Sequence, residues 1–149
     1  MDLDEIYNTR ILELAGAMTR GDRLTQPDAT ATAHSKLCGS TVSVDLKMKD
    51  GRVVDYGQTV KACLLGQATA SIVGREIVGS TDSELRKVAG EMRRMLKDNG
   101  SGPTGRWADL AVLEPVRNYK QRITSTLLVF EAVEMALDEI AAKAPVSVR

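Results

Sequence analysis

The chain has 149 residues, a length that fits one domain spanning 1–149 and buries about two thirds of its unfolded surface without needing a disulfide or a metal. Twenty basic and twenty acidic side chains cancel, and the mixed run of Glu84, Arg86, Lys87, Glu91, Arg93, Arg94, Lys97 and Asp98 reads as a solvated helix face, so nothing argues for a nucleic-acid partner. No apolar run approaches the roughly 18 residues of a membrane span, and the acidic start Met1-Asp2-Leu3-Asp4-Glu5 is unlike a signal or transit peptide; a cytoplasmic protein with reduced thiols is expected.

Leu3, Ile6, Tyr7, Ile11, Leu14, Ala15 and Met18 recur at helical spacing and predict a first helix over residues 3–18. Thr19 to Asp28, with Gly21 and Pro27, reads as a loop. Ala29 to Leu37 alternates small apolar and hydroxyl residues and suits a strand. Val42, Val44, Leu46 and Met48 alternate with Ser43, Asp45, Lys47 and Lys49, the pattern of a strand with one buried and one wet face. Asp50-Gly51 then favours a two-residue hairpin turn, and Arg52 to Val60 returns as the partner strand.

Ala62 to Val78 is rich in small residues and predicts a helix lying close to the sheet, stopping at a C-cap glycine, Gly79. Thr81-Asp82-Ser83-Glu84 has the form of a capping box, with Thr81 capping and Glu84 reaching back, and opens a helix running to about Lys97. A glycine-rich loop follows over 99–105. Trp107, Leu110, Leu113 and Val116 are spaced three apart, which predicts a short helix or helical turns broken near Pro115. The last helix is expected from about Gln121 to Ala142. The order α-βββ-αααα is that of an α+β domain, a three-stranded antiparallel sheet with helices packed on one face. With 3% aromatic residues, its core should be aliphatic.

Two cysteines carry the candidate chemistry. Cys38 stands in Leu37-Cys38-Gly39-Ser40 at the end of the first strand, where Gly39 permits a sharp turn. Cys63 opens the small-residue helix, a place that favours negative charge and so suits a thiolate. They are 25 residues apart, at strand ends that can be neighbours in an antiparallel sheet. The plain alternative is two buried structural thiols. His34, the single histidine, is a further candidate because imidazole suits iron and zinc. No phosphate-binding loop, dinucleotide fingerprint or nucleophile elbow is present, although a cysteine nucleophile assisted by His34 stays open.

These segments resemble the NifU/IscU/SufU scaffolds, on which iron and sulfur are assembled into a cluster. That family carries Asn-Pro-x-Cys-Gly-Asp, a hairpin, and a second cysteine opening a helix. Here the corresponding stretches are Ser35-Lys36-Leu37-Cys38-Gly39-Ser40 and Lys61-Ala62-Cys63-Leu64-Leu65-Gly66-Gln67-Ala68-Thr69-Ala70-Ser71. Trp107, Leu110, Leu113, Val116 and Arg122-Ile123 resemble the segment that leads into the third cysteine of SufU-like members, and the stretch before Trp107 also makes the layout more SufU-like. The resemblance covers Leu3 to Leu137 and implies a NifU/IscU-like fold of the SufE/NifU superfamily.

It also implies a ligand set that this chain holds in part. The family's third cysteine falls on Ser125 and its aspartate on Ser40; the Asn-Pro pair is Ser35-Lys36, the histidine of IscU-like members is Thr124, and the glycines near the second cysteine are Val60 and Ala62. Cys38 and Cys63 remain as metal ligands, with Ser40, Ser125 and His34 as additional donors at or near the site. A cluster or closed zinc site takes four ligands, mostly thiolates, and a neutral hydroxyl is a poor substitute. The resemblance supports three roles. One is a scaffold or carrier for iron or a nascent iron–sulfur cluster, or for zinc, with two chains pooling four thiols as a homodimer. Another is an interaction or regulatory module, without a cofactor because the third cysteine and the aspartate are replaced, that docks a cysteine desulfurase or a cluster carrier. The third is a persulfide acceptor at Cys38 or Cys63. The first two are binding roles, not enzymatic ones.

Overall fold

The computed structural model describes residues 8–36 and 39–143. Helix α1 (Thr9–Gly16) begins where the Asn8 carboxamide accepts the amide of Ile11 at 3.0 Å, and it buries Ile11, Leu14 and Ala15. Leu3, Ile6 and Tyr7 of the expected stripe lie outside the described residues. Three strands follow, β1 (Ala29–His34), β2 (Thr41–Lys49) and β3 (Arg52–Lys61), paired antiparallel in the order β1-β2-β3. Asp50 and Gly51 take φ of 55° and 79°, the left-handed pair that a two-residue hairpin requires.

The pairings Ala29–Leu46–Tyr56 and Ala31–Val44–Gln58 place those residues on one face, under the helices. The other face carries His34–Thr41–Lys61, Thr32–Ser43–Thr59 and Thr30–Asp45–Gly57. The alternation in β2 predicts that face to be wet, yet Asp45 is 1% exposed. The reason is the loop after α1, which crosses the sheet there. Arg23 donates to the Asp45 carboxylate through Nε at 2.6 Å and an amino group at 2.8 Å, the Leu24 amide donates at 2.9 Å and the Thr30 hydroxyl at 2.6 Å. The loop passes so close that a Cβ on Gly57 would collide with the Asp22 carbonyl oxygen. Burial alone would raise the Asp45 carboxyl, but the four hydrogen bonds and the Arg23 charge outweigh it and hold it below the ordinary carboxylate value.

Helix α2 (Leu64–Glu76) ends before the position its sequence suggests, and Ile77, not Gly79, is its cap. The chain leaves the helix early because it pairs with β3: the Gly79 amide donates to the Val53 carbonyl at 2.8 Å, and the Val53 amide to the Ser80 carbonyl at 2.9 Å. Gly79, at φ 96°, makes the turn between the two. Helix α3 (Asp82–Lys97) then starts with the Thr81 hydroxyl accepting the Glu84 amide at 3.1 Å. The Glu84 carboxylate pairs with Arg106 at 3.1 Å, in place of the expected reach-back to Thr81.

Residues Gly105–Asn118 form successive 3₁₀ turns. With three residues per turn, the spacing of Trp107, Leu110, Leu113 and Val116 puts all four in one buried row. Pro115 does not break the segment as expected, because its fixed φ lies within the 3₁₀ range and the buried Leu113 and Val116 hold the turns on either side. Helix α4 (Lys120–Lys143) packs across β1 and β2 and against α2 and α3.

The fold is α+β, with the helices packed over one face of the three-stranded sheet. The buried apolar residues form one cluster, mostly aliphatic, into which the scarce aromatics Tyr56, Trp107, Tyr119 and Phe130 are also drawn. Among the described residues, no helix is long and apolar enough to cross a membrane.

Candidate functional site

Ser40, Cys63 and Ser125 come from three distant parts of the chain and meet at one end of the sheet. Ser40 lies just before β2, where a tight connection from β1 is closed by two backbone bonds of 2.9 Å, Ser35 amide to Ser40 carbonyl and Gly39 amide to Ser35 carbonyl. Cys63 is the N-cap of α2: extended at φ −66° and ψ 173°, it accepts the Gln67 amide on its carbonyl at 2.9 Å and leaves its side chain out of the cap. Ser125 sits in the second turn of α4 and faces inward, 2% exposed.

The Ser125 hydroxyl is the centre of the group. Its oxygen lies 3.3 Å from the Ser40 hydroxyl and 3.4 Å from the Cys63 sulfur. A hydroxyl has one hydrogen and two lone pairs, so Ser125 can donate to one neighbour while accepting from the other. Directed toward sulfur, the chain runs Ser40 to Ser125 to Cys63, with each oxygen donating to the next atom. That direction suits a negatively charged sulfur, and the reverse suits a thiol.

Close approach of α2 to α4 is what makes the group possible. At Gly66 a Cβ would meet the Ala62 Cβ at 2.8 Å, the Ser125 carbonyl oxygen at 3.1 Å and the Ser125 hydroxyl at 3.2 Å. Gly66 belongs to the small-residue run legible in the sequence, but its specific use, seating Ser125 beside Cys63, is visible only once α4 is in place.

The other expected site residues are distributed differently. Cys38 lies outside the described residues, between Lys36 and Gly39, which are described. His34 is exposed at the end of β1, on the sheet face opposite the helices and in register with Thr41. Thr124, at the position of the family's histidine, is exposed on α4. Among the described residues, no three His, Cys, Asp or Glu side chains are grouped to hold a metal ion.

No family model matches the sequence. A curated relative, the iron–sulfur cluster assembly scaffold protein IscU of Thermotoga maritima, is 26% identical over 137 residues, covering 91% of this chain and 94% of its own. The crystal structure of a nitrogen-fixing NifU-like protein (N-terminal) from Brucella abortus superposes with a TM-score of 0.93 at 56% identity, covering 95% of this chain and 99% of that one. A structure described as an iron–sulfur cluster assembly scaffold protein for the SUF system, from Fervidobacterium islandicum, superposes with a TM-score of 0.83 at 18% identity, over 91% of this chain and 99% of that one, a likeness of fold. Shared sequence over nearly the whole length, on the same sheet-and-helix frame, places the chain in the NifU/IscU/SufU-like scaffold family.

Proposed function

We propose that this protein is an iron–sulfur cluster assembly scaffold or carrier that holds iron, or a nascent cluster, as cargo through Cys38 and Cys63. It acts as one domain over residues 1–149, in the cytoplasm, by binding and not by catalysis. The observation that carries the reading is the convergence of Ser40, Cys63 and Ser125 within hydrogen-bonding distance, at three positions where the family resemblance places an aspartate and two cysteines. The relatives named for cluster assembly support the same role.

The cargo would be held less firmly than by a full ligand set. One chain offers two sulfur donors, and iron–sulfur clusters take four protein ligands. Serine hydroxyls are neutral and bind iron weakly, so Ser125, with Ser40 behind it, supplies a hydrogen bond to sulfur more readily than a bond to metal. A second copy would supply the two missing thiols, and a bridging site between two chains accounts for the pair that remains. A cysteine desulfurase or another assembly protein is the natural source of sulfur for such a site.

The test is anaerobic reconstitution with ferrous iron and sulfide, followed by elemental analysis and absorption spectra. Wild type is expected to retain iron and sulfide in comparable amounts and to lose them in Cys63→Ser and in Cys38→Ser. Ser125→Cys, alone or with Ser40→Asp, is expected to increase retention and to slow its loss to a chelator. A protein that takes up neither element, and gains none in Ser125→Cys, would falsify the reading.

A second reading is a module without cargo that docks a cysteine desulfurase or a cluster carrier. It is favoured by the mutual satisfaction of Ser40 and Ser125, which leaves a neutral hydrogen-bonded group where charged ligands would serve a metal. Stable capture of a desulfurase by the metal-free protein, undiminished in Cys63→Ser, distinguishes it.

A further inference from the structure

A second depression lies where α3 ends and α4 begins. It has a volume of about 420 Å³, and none of Ser40, Cys63 and Ser125 lines it. Three of its walls are cationic: Lys97 from the last turn of α3, Arg117 from the end of the 3₁₀ segment, and Lys120 from the first turn of α4. No acidic side chain lines it, in a protein whose formal net charge is zero. Asn99, Asn118 and Thr124 add neutral polar groups to the same wall. The charges are therefore gathered here against the average of the surface, inside a concave space that focuses their field.

Arg117 is held in place and not used up. One amino group donates to the Gly100 carbonyl at 3.0 Å, and the nearest carboxylate, Glu114, stands 3.7 Å away. Its Nε is buried and finds no hydrogen-bond acceptor. Among the described residues neither Lys97 nor Lys120 forms an ion pair. A neighbouring hollow shares Lys97 and Thr124 and adds Arg93 and Glu131. Arg93 is already paired with Glu134, so the first depression is the one that gathers two lysines without an ion-pair partner among the described residues, beside an arginine whose carboxylate partner stands at 3.7 Å.

The geometry points to a receptor site for a small multivalent oxyanion, of the phosphate-ester or polycarboxylate class, held by Lys97, Arg117 and Lys120. Its volume lies in the range of small-molecule pockets, and an arginine with two lysines is a donor set suited to oxyanions. The inference is independent of the cysteine site, since it rests on other residues.

Amide NMR titration of the full chain at low ionic strength tests it, with inorganic pyrophosphate in one arm and citrate in the other. Saturable shifts confined to residues around 97–99 and 117–124 are expected in at least one arm, and the arm that saturates at lower concentration identifies the class. Lys97→Gln with Lys120→Gln, both at exposed positions, is expected to weaken that binding about tenfold or more by removing two of three charges. Raising the salt should weaken it too, because the site is open to solvent. Shifts that scatter over the surface without saturating, binding unchanged in the double variant, or saturation by an oligoglutamate peptide and by neither small anion would each overturn the assignment.

Discussion

Of the buried polar groups in this protein, two lie on opposite sides of the same sheet and are built on opposite principles. On the outer face, Asp45 is ionised and receives four hydrogen bonds from Arg23, Leu24 and Thr30, all between 2.6 and 2.9 Å. At the helix side, Ser40, Ser125 and Cys63 are linked by two contacts of 3.3 and 3.4 Å, between two hydroxyls and a sulfur. The first group has its acceptors fully engaged and ties a loop to the sheet. The second is satisfied loosely and can reverse its direction of donation. Rigidity is placed where the chain must be fastened, and polar slack is left at the proposed cargo site.

The largest effect should come from breaking the tight group. Asp45→Ala removes four hydrogen bonds at once and strands the Leu24 amide and Thr30 hydroxyl beneath the loop. Because Arg23 is 41% exposed, its charge can turn to water, so the expected loss is about 2–4 kcal/mol and not the full cost of a buried orphan charge. Urea denaturation measures it. The same carboxylate gives a pH signature. Its folded value is depressed, so its stabilising contribution is present above the unfolded value near ~3.9 and is lost as pH falls through the folded value. The stability gap between wild type and Asp45→Asn should therefore narrow on going from pH 6 to pH 3. A gap that widens in acid would contradict the assignment of the stabilisation to an ionised Asp45.

The loose group depends on backbone approach, and Gly66 tests that. In Gly66→Ala the new methyl carbon is placed 2.8 Å from the Ala62 Cβ and 3.1 Å from the Ser125 carbonyl oxygen, so α2 or α4 must shift. A loss of about 1–3 kcal/mol is expected, read by thermal or urea unfolding. The displacement should also separate Cys63 from Ser125, which amide shifts of residues 62–66 and 123–127 would report. An unchanged spectrum at those residues would mean that the serine is seated by something other than the α2–α4 approach.

The same contrast separates the features that are legible in the amino-acid sequence from those that are not. The strands, the Asp50-Gly51 turn and the helix from Thr81 to Lys97 are set by local rules, alternation, positive φ and capping, and they can be read from the letters, although the first strand, expected to run to Leu37, stops at His34. The period of three from Trp107 to Val116 is likewise present in the letters, and it describes a 3₁₀ row more closely than an α-helix. What local rules miss is the consequence of packing. Asp45 falls on the wet face of an alternating strand, and only a loop from about 20 residues earlier in the chain buries it. Gly79 has the character of a helix C-cap, but pairing with Val53 ends α2 sooner. For the site, family resemblance names Ser40, Cys63 and Ser125. Their meeting requires the β1–β2 connection, the start of α2 and the second turn of α4 to converge, and no spacing in the sequence encodes that. His34, attractive as a metal donor by residue type, is placed by strand parity on the opposite face.

The smallest expected effect is the most direct comparison of the two groups: a double-mutant cycle on each. For Arg23→Ala and Asp45→Ala, the bidentate contact at 2.6 and 2.8 Å predicts a coupling of about 1–3 kcal/mol, reduced by the exposure of the arginine. For Ser40→Ala and Ser125→Ala, a neutral pair at 3.3 Å predicts no more than about 1 kcal/mol. Ser125 also keeps the Cys63 sulfur as a partner when Ser40 is removed, and this lowers the coupling further. A coupling between the serines as large as that of the ion pair would mean that the group is fastened as tightly as the Asp45 clamp. Ser125 would then be a structural tie, and the slack on which the proposed binding of cargo at Cys63 depends would not exist.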